Sequence, residues 1–123
     1  MPVNVRYIVE DVDAAIEFYR DHLGFEVDMH PAPGFAALSQ GELRLLLNAP
    51  GAGGAGTAGG HPEPGGWNRF QLTVEDLGFL VERLTADGVR LRGDIVEGNA
   101  GGQVVAEDPS GNPIELFEPY TGR

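Results

Sequence analysis

Two stretches of this chain share one physical grammar. "VEDVDAAIEFYRDHLGFEV" begins at Val9, and "VEDLGFLVERLTADGVRLR" begins at Val74, 65 residues further on and about half the chain away. Repetition at that spacing predicts an internal duplication. An alternating segment precedes each copy, "VNVRYIV" over 3–9 and "NRFQLTV" over 68–74. Val3, Val5, Tyr7 and Val9 share one face of the first; Phe70, Leu72 and Val74 share one face of the second. Asp11 and Asp76 then stand where a helix N-cap should, each with a carboxylate able to take an orphan amide hydrogen bond. Val12, Ala15, Ile16, Tyr19 and Leu23 form the apolar stripe of the first helix, and Leu77, Leu80, Val81 and Leu84 that of the second. Gly24 and Gly88 supply the left-handed residue that ends each helix.

Three short strands follow each helix: 25–30, 35–39 and 42–48 in the first half, and 88–95, 102–107 and 113–118 in the second. "GELRLLLN" puts Leu43, Leu45 and Leu47 on one face and Arg44, Leu46 and Asn48 on the other. Ile114 and Leu116 oppose Glu115 and Phe117 in the same way. The chain is therefore expected to be one α+β domain over 1–123. Two tandem βαβββ modules, 1–48 and 67–123, flank a Gly/Pro-rich connector at 49–66. That connector has too little apolar bulk to order itself, and reads either as a plain linker or as a lid over a site.

A net charge of −11 excludes a nucleic-acid or anionic-membrane partner and favours cationic small molecules. No apolar run is long enough to span a bilayer, and "MPVNVRYIVED" lacks a signal-peptide pattern. With no cysteine there is no thiolate ligand or Cys nucleophile, and the expected compartment is the cytoplasm. No Ser or Thr sits in a nucleophile-elbow context; Ser110 belongs to the turn "DPSGNP". "GAGGAG" at 51–56 lacks the helix that a phosphate-binding loop requires.

The paired modules, "FYRDHLGF" and the closing "DPSGNPIELFEP" resemble the vicinal oxygen chelate superfamily. That group contains glyoxalases, extradiol dioxygenases, fosfomycin-modifying enzymes and bleomycin-resistance binding proteins. The resemblance covers essentially the whole chain. It implies a curled mixed sheet with helices outside and a ligand cavity inside, and the fold alone does not decide between catalysis and binding.

Metal-dependent members place four ligands on cavity-facing strands. The matching positions here are Asn4, Arg44, Arg69 and Glu115, so one of the four family ligands is retained. A guanidinium repels a divalent ion rather than coordinating it. His22, His30 and His61 lie elsewhere; a site from His30, His61 and Glu115 would lack the supporting contacts that orient ligands. The expectation is thus no metal and no cofactor, with Glu115 paired to Arg69 or Arg44.

Alternation assigns the cavity lining: Asn4, Arg6, Phe35, Arg44, Leu46 and Asn48 from the first module, and Trp67, Arg69, Gln71, Glu115 and Phe117 from the second. Tyr120 is placed to close over one end. Polar points among aromatic walls suit a planar ligand. Closest in character is the metal-free resistance branch: a non-catalytic protein that sequesters a bulky, partly aromatic natural product, as a homodimer by implication of the resemblance. The competing reading is a lyase- or dioxygenase-like enzyme, with an atypical metal site or Glu115 as general base. A carboxylate paired with Arg is a poorer base, which weighs against the second role.

Overall fold

The computed structural model describes residues 3–52 and 60–120. The chain divides into two compact units, and the turn at 109–112 belongs to the first.

In the first unit the elements run β1 (Val3–Ile8), α1 (Val12–Leu23), β2 (Glu26–Ala32), β3 (Phe35–Gln40) and β4 (Leu43–Asn48). The sheet order is β1-β4-β3-β2. β1 pairs with β4 in parallel, Asn4 opposite Arg44 and Arg6 opposite Leu46, and β3 runs antiparallel to β4. A parallel pair needs a long crossover, and α1 with β2 and β3 provides it. Asp11 caps α1, its side chain accepting from the amide of Ala14, and Gly24 ends it at φ 74°. The expected stripe is buried, and Phe18 joins it. Tyr19 meets Phe18 and Phe25 edge-on, with centroids 5.0 and 5.4 Å apart. Leu45 and Leu47 complete this core from the sheet.

The second unit repeats the plan: β5 (Gln71–Thr73), α2 (Leu77–Ala86), β6 (Val96–Glu97), β7 (Gly101–Glu107) and β8 (Pro113–Pro119), with sheet order β5-β8-β7-β6. Asp76 caps α2 by accepting from the amide of Phe79. Leu77 and Leu84 are buried against the sheet, where Leu72, Val104, Ala106, Ile114 and Leu116 form the core. Leu80 and Val81 are only half-buried, so the second stripe is narrower than the sequence implies.

Two expectations need correction. Residues 88–95 do not form a strand: only Leu91 bridges to Ala106, and β6 fills the edge position. Gly93, at φ 103°, bends the chain out of the ladder there. Strand pairing also starts at Gln71 rather than 68, although the amide of Glu115 still donates to the Phe70 carbonyl at 3.0 Å. For the connector, residues 53–59 lie outside the described residues. Ala49 and Ala52 make a turn, and the Gly65 amide donates to Asn112. Among the described residues no helix is long and apolar enough to cross a membrane.

Candidate functional site

In each unit α-helix covers one face of the sheet, and strand alternation sends the polar residues to the other. On the second unit's open face, Gln71, Glu115 and Val105 lie in one row across the strands, and Thr73, Phe117 and Gln103 in the next. Glu115 is the centre of a closed network. Its Oε1 accepts from Arg69 Nε at 3.0 Å and lies 2.9 Å from the second guanidinium nitrogen. Its Oε2 accepts from Gln71 Nε2 at 2.6 Å. Arg69 also donates to the Trp67 carbonyl at 3.1 Å. The Glu115 side chain is 13% exposed and that of Arg69 27%, so water screens this pair only in part.

Next to it stands a second pair that sequence reasoning did not anticipate. Arg92 binds Glu107 at 2.7 Å, donates to the Gly66 carbonyl at 2.7 Å, and lies 4.5 Å from the centroid of the Trp67 ring. That is cation–π geometry. Trp67 nevertheless remains 69% exposed. The sequence does hold a signal for the pair: Arg90-Leu91-Arg92 alternates in step with Val105-Ala106-Glu107, and Leu91 bridges to Ala106.

In the first unit, Asn4 and Arg6 are exposed and Leu46 is half-buried. Arg44 turns to Asp28 at 3.8 Å, and Asp28 also accepts from Ser39 Oγ at 3.0 Å. Of the two expected partners of Glu115, then, Arg69 takes the role and Arg44 does not. Ile8, Asn48 and Phe35 form one row. Asn48 is buried, with its Oδ1 lacking a hydrogen-bond partner among the described residues.

The model of the glyoxalase/bleomycin resistance protein/dioxygenase superfamily matches residues 3–116. The chain belongs to that superfamily. Its fold is shared with a superfamily member from Sphaerobacter thermophilus at 25% identity and TM-score 0.78, with 96% of each chain covered. A lactoylglutathione lyase from Agrobacterium tumefaciens matches at 22% identity and TM-score 0.74, over 96% of this chain and 92% of that one. The bleomycin-binding protein of bleomycin-producing Streptomyces verticillus, solved with copper(II)-bleomycin, matches at 21% and 0.65, over 98% and 97%. No curated protein matches.

The pseudo-repeat corrects one ligand position. Glu115 faces Gln71, and 65 residues earlier Arg6 faces Leu46. Leu46, not Arg44, is therefore the first-module counterpart of Glu115. The positions that the resemblance matches to the family's metal ligands carry a donor set that fits a divalent ion poorly. The four positions hold an amide, an aliphatic chain, a guanidinium and a carboxylate already bonded to that guanidinium. His30 lies 3.7 Å from Asp13 on α1, and among the described residues no three His, Cys, Asp or Glu side chains group to hold an ion.

Tyr120 takes a different place from the one expected. Its hydroxyl donates to Glu97 at 2.7 Å, and it lines a shallow pocket of about 260 Å³ with Leu77, Gly102 and Glu118. That pocket lies at the start of α2, where Glu118 accepts from the Leu77 amide. Tyr120 thus joins the helix side of the sheet rather than the Glu115 face.

Proposed function

We propose that the protein binds and sequesters a bulky, partly aromatic natural product without transforming it, in the manner of a drug-resistance or self-resistance protein. The observation that carries this reading is the closed Arg69–Glu115–Gln71 network beside an exposed, cation-stacked Trp67. Oε1 of Glu115 is taken up by Arg69 and Oε2 already accepts from Gln71, which weighs against a role as general base or metal ligand. A flat indole at its side offers stacking area at small entropic cost. The surrounding field of net charge −11 favours a cationic ligand. Likeness in fold to a bleomycin-binding protein supports the same choice.

The reading includes a cytoplasmic homodimer built from the single 1–123 domain. Every residue of edge strand β2 is exposed, and Val27 and Met29 there offer apolar side chains that a second copy would cover. Light scattering on the purified protein should give twice the chain mass.

Trp67 is the sole tryptophan, so its fluorescence reports one place in the chain. Titration with metal-free bleomycin and with the planar cation proflavine should quench it at micromolar concentrations. Mass spectrometry of the recovered ligand should show it unchanged. By calorimetry, Trp67→Ala should weaken the bound probe at least about tenfold, roughly 1.4 kcal/mol. Unchanged affinity would remove Trp67 from the site, and a converted ligand would favour the enzyme reading.

Metal removal gives a separate check. Protein treated with EDTA should hold metal-free bleomycin with the same affinity. A loss beyond tenfold, restored by Ni²⁺, Fe²⁺, Mn²⁺ or Zn²⁺, would establish a metal site despite the donor set.

A further inference from the structure

Asn48 occupies the last position of β4, a central strand of its sheet. It is 1% exposed and flanked across the sheet by Ile8 and Phe35. Its Nδ2 donates to the Ala52 carbonyl over a long 3.4 Å, and its Oδ1 accepts from nothing among the described residues. An amide oxygen has two acceptor sites, and leaving both empty in apolar surroundings is unfavourable. Leucine, with nearly the same branched shape, would carry no such penalty.

Local structure does not account for the asparagine. The Asn48 carbonyl accepts from the Val9 amide at 2.9 Å. The turn that follows is closed by its own backbone: Ala49 donates to the Gly34 carbonyl at 2.9 Å and Ala52 to the Ala49 carbonyl at 3.0 Å. Neither bond uses the orphan oxygen. The hydrogen bond from the turn to the side chain is the weak one to Ala52, and Gly51 stands at φ 81°, a left-handed backbone that glycine adopts without strain. For a ligand to reach Oδ1, residues 49–52 would have to shift away from the side chain.

We propose that Asn48 Oδ1 is a recognition acceptor for an N–H or O–H group on the ligand, with the ligand's ring lying against Phe35. The inference rests on the binding reading above and narrows its ligand class to aromatic rings that carry a hydrogen-bond donor. An aromatic ligand without a donor leaves the amide unpaired and is discriminated against, because a buried polar group of the site then stays unsatisfied.

The test uses the full-length ¹⁵N-labelled protein with indole and 1-methylindole, which differ chiefly in the N–H donor. Indole should shift the Asn48 side-chain amide signals and saturate at a concentration at least about tenfold lower than 1-methylindole, roughly 1.4 kcal/mol. Asn48→Leu and Asn48→Ala should both abolish that preference, and at least one of them should melt no lower than the parent protein. Equal binding of the two probes, no binding of either at Asn48, or a preference that persists in the variants would overturn the proposal. Two variants that both melt far below the parent would do the same, by making the amide structural. A donor preference at Asn48 with no uptake of bleomycin or proflavine would uphold this inference and defeat the natural-product reading. Uptake of those compounds without a donor preference would do the reverse.

Discussion

Asn112→Ala is expected to lower the unfolding free energy by about 2–4 kcal/mol. Asn112 is 3% exposed. Its Nδ2 donates to the Ile8 carbonyl at 2.8 Å, and its Oδ1 accepts from the Gly65 amide at 2.7 Å. The side chain thus ties the end of β1 and the end of the connector to the 109–112 turn within the first unit. Truncation leaves two backbone groups without partners, each costing about 1–3 kcal/mol when water cannot replace the bond. Gly65 is exposed and will recover part of its loss from solvent, which holds the total below the sum. Asn112→Asp keeps an acceptor for Gly65 but faces the Ile8 carbonyl with a carboxylate oxygen, so it should also destabilise. Ser110→Ala, which removes one bond to the exposed Glu10 amide, should cost less than about 1 kcal/mol. Urea unfolding at constant m measures all three. A shift under 0.5 kcal/mol for Asn112→Ala would mean that this tie is not holding the turn.

Asn112 also marks the limit of what the sequence conveyed. "DPSGNP" identifies a turn through Pro109 and Gly111, because turn chemistry is local. What Asn112 bonds to lies about a hundred residues away at Ile8, and no local pattern points there. The caps Asp11 and Asp76 and the terminator Gly24 were legible for the complementary reason: each acts on backbone within a few residues. Apolar alternation placed β1, β4 and β8 well, since one face of each strand meets a core. The same alternation misled at 88–95, where Val89 and Leu91 look like a strand. Gly88, Gly93 and Asp94 were the warning, because turn-forming residues at both ends leave room for a single bridge. Within the candidate site, Arg69 with Glu115 was reachable from alternation. Arg92 over Trp67 was not, because the contact needs a register that the misread strand concealed. The burial of Asn48 was hidden for another reason: alternation fixes the face of a side chain, not what the following turn lays across it.

The Arg69–Glu115 pair should show unequal single-mutant costs, and the inequality tests whether the two charges form a partly buried couple or a screened surface contact. Arg69→Ala leaves Glu115, the more buried partner, with Gln71 alone among the described residues. It is expected to cost about 2–4 kcal/mol, near the lower range for breaking a buried pair. Glu115→Ala leaves Arg69 with the Trp67 carbonyl and readier access to water, and should cost about 1–2 kcal/mol. The double variant should recover about 1–3 kcal/mol relative to the sum, since the second truncation removes the charge that the first left stranded. Equal costs with no coupling would reduce the pair to a screened surface contact worth less than about 1 kcal/mol. Metal binding supplies an independent arm. If the guanidinium repels cations from this face, Ni²⁺ uptake measured by calorimetry should be weaker for the parent protein than for Arg69→Ala, and Glu115→Ala in that background should remove the gain. Identical uptake by all three would show that the pair does not govern cation access. The non-catalytic reading would then have to stand on the Trp67 titration alone.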